Sequence, residues 1–354
     1  MTGPPAAGGW IFPFAAAMAG APPAAPPETM ADITAVETYS FTPDDLRVGD
    51  RLPGISAFVR TRNGADFLRE TILSHAPYVD EIVAVYNQCT DGTEAVLAAL
   101  QDELGPARLR VFHYLPRVHP PGSKEHAAEP GQSPASVVNY SNFALSRTTR
   151  NIVVKLDDDH IAFDRLLAPM VADLRANGLA PGRMNCFSGL NLARDEAGAV
   201  GVHADTPFSG NGDIGFFAMT PDAYFVHDRR FEDFRKYHFR RVFAGFAYWH
   251  MKYLKSGLGF ANYEIDSGRN RRFERKEKAF HRRREVISVA ELRASVPRLR
   301  ASVMRHVPFD KWALIGNRAL AIASGEVTDA DLAEFLARYG LGEPVRPEVG
   351  ASAA

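Results

Sequence analysis

Ile152-Val153-Val154-Lys155-Leu156-Asp157-Asp158-Asp159 is the stretch on which the reading of this chain turns. The apolar, β-branched run describes a buried strand, and three carboxylates follow it without a break. A strand that ends this way concentrates negative charge at one point beyond a sheet. Such a cluster repels itself unless something positive sits there. A hard divalent cation shared with substrate phosphates is one solution: Mg2+ or Mn2+ takes one or two protein carboxylates and fills its shell with phosphate and water oxygens. A solvated loop and an acidic start to the next helix are the plainer alternatives.

Working outward, strands alternate with helices. Ile55-Ser56-Ala57-Phe58-Val59, Glu81-Ile82-Val83-Ala84-Val85-Tyr86 and Leu109-Arg110-Val111-Phe112-His113-Tyr114 read as strands. Asp66 to Ser74, the residues from Thr93 through Leu100, and Ser136 to Arg147 read as helices between them. This order predicts an α/β fold with a mostly parallel sheet and helices on both faces. Ligands of such sheets bind beyond the carboxyl ends of the strands, where Thr61, Asn63, Asn87, Asp91 and the three aspartates fall. Further on, Met184 to Leu190 and Asp213 to Met219 read as strands, and Phe243 to Ser256 as an amphipathic helix stopped by Gly257. Residues 288–324 read as mainly helical, and Thr328 as the cap of a last helix from Asp329 to Tyr339.

The 354 residues suffice for one large α/β domain with extensions. The composition, 46% hydrophobic with a formal net charge of −1, excludes no partner by charge alone. The distribution is more telling: no Lys or Arg precedes Arg47, while residues 229–284 hold seventeen of the 41. Two cysteines, Cys89 and Cys186, exclude a disulfide framework and suit a reducing cytoplasm. No apolar run reaches the roughly 18 residues that span a bilayer. Residues 1–35 read as a disordered Ala/Pro-rich leader, because nothing positive precedes the apolar Trp10 to Ala19 as a signal peptide requires. A domain over 36–262 follows, with a nucleotide-binding half at 53–160 and an acceptor half at 161–262. A basic, helical extension spans 263–340, and a flexible tail spans 341–354.

The order of motifs resembles glycosyltransferase family 2, the nucleotide-sugar-dependent enzymes of the GT-A fold. Val59-Arg60-Thr61-Arg62-Asn63 stands in the place of the family's first-strand Pro-Thr-Tyr-Asn, and Thr90-Asp91-Gly92-Thr93 closes the second-strand segment. Asn142, Ala144 and Leu145 keep the family's spacing ahead of the aspartates, and Asp157 and Asp159 fall on its Asp-X-Asp motif. The resemblance implies a GT-A, Rossmann-like sheet with a helical C-terminal extension. It also implies transfer of a sugar from a nucleoside diphosphate to an acceptor hydroxyl, with Mn2+ or Mg2+ on Asp157 and Asp159 bridging the diphosphate. Thr61, Asn63 and Asn87 would line the base and ribose pocket, with Asp91 and Asn142 beside them. Arg62 and Lys155 would add positive charge at the diphosphate, or else are surface residues held in salt bridges, and Asp158 would shape the turn. The partners implied are a nucleotide-sugar donor and a saccharide or lipid-linked acceptor, in cell-surface polysaccharide or glycolipid synthesis.

Two departures matter. Tyr86 and Asn87 stand where family members carry a base-holding aspartate. The family's late acidic pair, one of which serves as general base, is replaced by Phe246 and Ala247. An inverting transferase needs a group to take the acceptor proton. Asp213 after Ser209-Gly210-Asn211-Gly212, Glu232 and Asp233 at the start of a charged helix, and His250 are the candidates. His250 is also a candidate third metal ligand or a packing residue. The basic run from Arg269 to Arg284 reads as a solvated helix face or as a contact for the anionic inner face of a membrane. Nucleic acid is the weaker partner, since no nucleic-acid module accompanies the run. The rival functions are a sugar-phosphate nucleotidyltransferase and a non-catalytic nucleotide-sugar binder.

Overall fold

The computed structural model describes residues 33–210, 212–228, 232–235, 238–256 and 285–346. The leader up to residue 32, Gly257, the arginine-rich run 269–284 and the end of the tail lie outside the described residues. The first half alternates as expected: β1 (Thr34–Val36), β2 (Leu52–Thr61), α1 (Leu68–His75), β3 (Glu81–Tyr86), α2 (Thr93–Leu104), β4 (Leu109–Tyr114), α3 (Lys124–Ala128), α4 (Val137–Ser146) and β5 (Arg150–Leu156). After the aspartates come β6 (His160–Ala162) and α5 (Asp164–Asn177). The second half is strand-rich: β7 (Arg183–Arg194), β8 (Val200–His203), β9 (Phe208–Ser209), β10 (Gly215–Ala218), β11 (Phe225–His227), β12 (Glu232–Phe234), β13 (Arg240–His250) and β14 (Val286–Ile287). Helices α6 (Val289–Ala294), α7 (Arg298–Met304), α8 (Asp310–Ala323) and α9 (Asp329–Tyr339) complete the chain.

The main sheet runs β1-β4-β3-β2-β5-β10-β7-β13-β6. Strands β1 to β5 pair in parallel, β10 is antiparallel between β5 and β7, and β13 lies parallel to β7 with β6 antiparallel at its far side. The two-residue period of a strand sorts the core. Ile55, Ala57 and Val59 of β2, Ile82 and Ala84 of β3, and Ile152, Val154 and Leu156 of β5 face one side. There they pack on Leu68 and Ile72 of α1, Leu97 and Leu100 of α2, and Leu167 and Val171 of α5. Phe58, Val83, Val85 and Val153 face the other side, against Val138, Phe143 and Leu145 of α4. A third apolar cluster joins Trp249 and Phe246 of β13 to Leu292, Ile322, Leu332 and Phe335 of the C-terminal helices. The cap read at Thr328 is present: its hydroxyl accepts from Asp331 N while the Asp331 carboxylate accepts from Thr328 N, and Gly340 ends α9 in the left-handed region at φ 63°.

Three expectations are corrected. Phe243 to Ser256 is not a helix: Arg240–His250 is a strand, and Met251 to Ser256 is a turn. Strand β13 has neighbours on both edges and is buried on both faces near its end, so its sequence is a continuous apolar run without alternation. Register irregularities at Phe243/Gly245 and Phe246/Tyr248, with Gly245 at φ 132°, stretch the two-residue period until it imitates a helical one. Glu232 and Asp233 do not open a helix: they lie in β12, paired antiparallel with His227 and Val226 of β11. Residues 341–346 are not a free tail, because Val200 N donates to Glu343 O and Val345 N to Val200 O. These bonds occupy backbone groups that β8 would otherwise leave open.

Candidate active site at the aspartate turn

Strand β5 delivers its carboxylates at the carboxyl end of the parallel strands, and the chain folds straight back into β6. The antiparallel register of β6 on β13 sets His160 opposite His250. Met251 N then donates to the carbonyl of Asp159 at 2.9 Å, which ties the end of β13 to the turn. The segment that follows crosses to the start of α1, where Ser256 N and Oγ both donate to Asp66 Oδ2 at 2.8 and 2.9 Å. Between these two anchors Lys255 is carried into the carboxylate cluster.

The three aspartates have different surroundings. Asp157 is the most open; Lys155 Nζ lies 2.8 Å from Oδ1 and His160 Nε2 lies 3.6 Å from Oδ2. Desolvation works against its charge, but the Lys155 ammonium and His160 outweigh it and hold the carboxyl well below the usual range. Asp158 is buried, accepting from Thr61 Oγ1 and from Lys255 Nζ, each at 2.6 Å. Asp159 is buried with Oδ2 3.0 Å from Lys255 Nζ and Oδ1 3.3 Å from His250 Nε2. Its burial penalty is likewise overcome, by His250 and Lys255, and it stays ionised far below the ordinary carboxylate range. Lys255 is only 5% exposed. Burial alone would favour its neutral form; the two carboxylates reverse that and raise its pKa.

His250 Nδ1 lies 2.6 Å from Asn191 Oδ1, and Asn191 Nδ2 donates to Thr206 O, also at 2.6 Å. That second bond settles which end of the Asn191 amide faces the ring. Nδ1–H is therefore the donor, and Nε2 is turned toward Asp159 Oδ1. Between Nε2 and the carboxylate oxygen there is a place for a proton, which is how His250 helps hold Asp159 ionised, or for a cation in its stead. Asp159, His160 and His250 together present ligand atoms within 4.8 Å of one another. His160 is the least committed of the three: its ring stacks on Tyr248 at 3.8 Å, burial pushes its pKa down to about 3, and its Nε2 has no hydrogen-bond partner among the described residues. An Mn2+-type ion fits this carboxylate and imidazole set; Lys255 withdraws Asp158 and one oxygen of Asp159 from it.

Gly64 is what allows Thr61 to reach Asp158. A Cβ there would stand 2.3 Å from Thr61 Oγ1 and 2.4 Å from Asp158 Oδ2. Gly64→Ala is expected to cost about 1–3 kcal/mol through that overlap, read as a lower midpoint in urea unfolding, and to weaken cation binding alongside.

Most other residues singled out from the sequence serve the strand-tip loops. Asn63, at φ 55°, accepts from Thr90 N, and the Asp91 carboxylate accepts from Ala65 N, Thr93 N and Thr93 Oγ1. The Asn87 amide donates to the carbonyls of Tyr114 and Pro116, and the Asn142 amide pairs both ways with the backbone of Phe225. Arg62 is buried, and its Nε has no hydrogen-bond partner among the described residues. Glu232 is held by Arg60 at 2.7 Å; burial opposes its charge, but Arg60 and Lys155 keep its pKa low. Asp213 and the aspartate turn both act on the buried Tyr248 hydroxyl, whose pKa is raised first by burial and then by these charges.

No protein-family model matches the chain, and no curated protein matches it. Among solved structures it is similar to S. aureus TarS residues 1–349, at 14% identity over 81% of this chain and 91% of that one, with a TM-score of 0.31. It is also similar to glucosyl-3-phosphoglycerate synthase from Mycobacterium tuberculosis, solved with Mn2+, uridine diphosphate and phosphoglyceric acid. There the identity is 20% over 48% of this chain and 53% of that one, with a TM-score of 0.23. A third similar structure is 4-diphosphocytidyl-2C-methyl-D-erythritol synthase from Anaerococcus prevotii, at 12% identity over 47% and 71% of the two chains, with a TM-score of 0.27.

Lys255, His160 and Asn191 are the site residues that sequence reasoning missed. His160 stood in plain view, directly after the aspartates. Lys255 was hidden by the helical reading of Phe243 to Ser256, which would have placed it on a solvated face. Asn191 has no sequence signal, because only the strand pairing of β7 with β13 sets it opposite His250.

Proposed function

We propose that this chain is a nucleotide-sugar-dependent glycosyltransferase that moves a sugar onto an acceptor hydroxyl. The observation that carries the reading is the facing pair of Asp159 Oδ1 and His250 Nε2, 3.3 Å apart at the carboxyl end of a parallel sheet. The ordered strand-tip motifs at Thr61-Arg62-Asn63, Thr90-Asp91-Gly92-Thr93 and Asp157-Asp158-Asp159 support it. Asp159 and His250 would hold Mn2+ or Mg2+, with Asp157 and His160 alongside. When bound, the ion neutralises charge on the leaving diphosphate. Lys255 holds Asp159 in place, and Arg62, a buried guanidinium whose Nε has no partner among the described residues, attracts an anionic group to the same strand tips. Asn87 and Asn142, whose amides are spent on the backbone, shape the base pocket rather than read the base. Among the candidates for the acceptor base, Glu232 is bound by Arg60 and His250 is turned to Asp159, which leaves the choice between Asp213 and Asp233 to their variants in the transfer assay. The acceptor is a saccharide or a lipid-linked sugar. No described helix is long and apolar enough to cross a membrane.

The test is incubation with a panel of nucleotide sugars and Mn2+, reading nucleoside diphosphate release with an acceptor saccharide present. Release of pyrophosphate from nucleoside triphosphate and sugar phosphate would replace this reading with a nucleotidyltransferase. Nucleotide binding without turnover on any acceptor would replace it with a binding protein. Asn191→Ala frees the His250 ring from its orienting acceptor. It is expected to weaken Mn2+ binding about 10–100-fold without unfolding the chain, as measured by the loss of the free-ion Mn2+ resonance on titration.

A further inference from the structure

Helix α7 turns Leu299 and Val303 away from the protein. Its buried residue is Ala301. Leu299 and Val303 lie two positions to either side of it, which at 3.6 residues per turn puts both on the opposite side of the helix. Leu299 is 83% exposed and Val303 63%. The start of α8 adds Phe309, at its N-terminal boundary, at 67% and Trp312, in its first turn, at 44%. Helix α8 closes on the inner side of α7: a Cβ on Gly316 would stand 2.5 Å from Arg305 N and 2.7 Å from Ala301 O. The outer ridge is therefore left bare while the inner contact is tight. Isolated exposed apolar residues are ordinary, but four large ones on one short hairpin mark a contact surface.

The charges on the ridge are of one sign. Arg300, Arg305 and Lys311 are exposed beside the apolar residues. The one carboxylate between residues 298 and 312, Asp310, accepts from Arg241 N at 3.0 Å and lies 3.5 Å from its guanidinium Nε. Aromatic and aliphatic side chains flanked by cations that no free carboxylate of the hairpin offsets match the boundary of an anionic bilayer, where acyl chains lie beneath a layer of phosphates. Two copies of so cationic a ridge would repel each other. A nucleic acid would satisfy the cations but leave Leu299 and Val303 in water.

We propose that the α7–α8 hairpin docks on an anionic lipid surface, with Leu299, Val303, Phe309 and Trp312 entering the acyl boundary and Arg300, Arg305 and Lys311 meeting the headgroup phosphates. The proposal stands apart from the reaction assigned above and from the arginine-rich run 269–284. Full-length protein is sedimented with vesicles of mixed phosphatidylcholine and phosphatidylglycerol, and with vesicles of phosphatidylcholine alone. The wild-type chain should sediment with the mixed vesicles only, less so at high salt. A blue shift in tryptophan emission that Trp312→Phe removes should accompany it. The combined Leu299→Ser, Val303→Ser, Phe309→Ser variant changes only exposed side chains. It should keep the wild-type melting temperature and lose at least about tenfold in vesicle partitioning. Arg300→Glu with Lys311→Glu should lose a comparable amount. Failure of the wild type to sediment would overturn the proposal. So would undiminished binding by the serine variant, which would locate the contact elsewhere, and so would a wild-type dimer that the variant dissociates without any vesicle binding.

Discussion

Asp159→Asn should abolish tight Mn2+ binding and lower sugar transfer by about two to three orders of magnitude, while the chain still folds. Asp159 is the carboxylate that faces His250, and its Oδ1 is the oxygen left over once Lys255 has taken Oδ2. An amide at this position loses the charge that draws a cation, but it changes the side-chain volume little. Lys255 keeps Asp158 at 2.6 Å, so its ammonium is not stranded. Titration of Mn2+ by electron paramagnetic resonance gives the binding arm, and nucleoside diphosphate release gives the turnover arm. A variant that binds Mn2+ as the wild type does would remove the metal from Asp159 and His250. Retained Mn2+ binding with lost turnover would instead place Asp159 against the donor itself.

Lys255→Met should be the most destabilising single change at the site. Asp158, Asp159 and Lys255 are all nearly inaccessible, and the ammonium lies within hydrogen-bond reach of both carboxylates. Removing one member of a buried ionic group leaves the others uncompensated, at about 3–5 kcal/mol. The sign of the pH dependence follows from the directions of shift. In the wild type Asp159 is depressed, so its contribution is present above the ordinary carboxylate pKa of about 4 and is lost as pH falls through the lower folded value. Lys255 is raised, so its contribution is complete below the ordinary lysine pKa of about 10.4 and is lost only as pH climbs through the folded value. In the methionine variant the carboxylates have no ammonium and bind protons more readily. Its deficit against the wild type should therefore be largest near neutrality and shrink toward pH 5. Added Mn2+ should restore part of the lost stability, because a divalent ion can take the vacated charge. Thermal melts across pH, with and without the ion, check all three statements. A deficit that is flat with pH would mean that Lys255 contributes packing rather than charge.

Much of the parallel half and its aspartate-tipped strand was legible. The run Ile152 to Leu156 is short, apolar and closed by acids, so its character is local and survives any packing. The same holds for Glu81 to Tyr86 and for the capping pair Thr328 and Asp331. Residues 240–250 were not legible, for a physical reason. A strand paired on both edges and covered on both faces has no polar alternation to reveal it, and its bulges at Gly245 and after Phe246 blur what period remains. On a helix His250 reads equally as a base, a metal ligand or a packing residue, and nothing in a helical period brings Lys255 to the aspartates; the strand and its closing turn do both. Asn87 and Asn142 show the converse. Each stands where a pocket residue belongs, yet each amide is occupied by backbone groups that no single-residue argument brings near.

From sequence alone this protein is a chain with a parallel α/β core that presents three carboxylates at a strand tip, because alternation, strand length and the placement of acids are local properties. Only the tertiary structure decided how those carboxylates divide. Lys255 comes from 97 residues away to take Asp158, and the register of β6 on β13 turns His250 toward Asp159. Which residue faces which across such distances is set by strand pairing and by the turn from Met251 to Ser256, and a buried charge accepts whichever partner that geometry supplies.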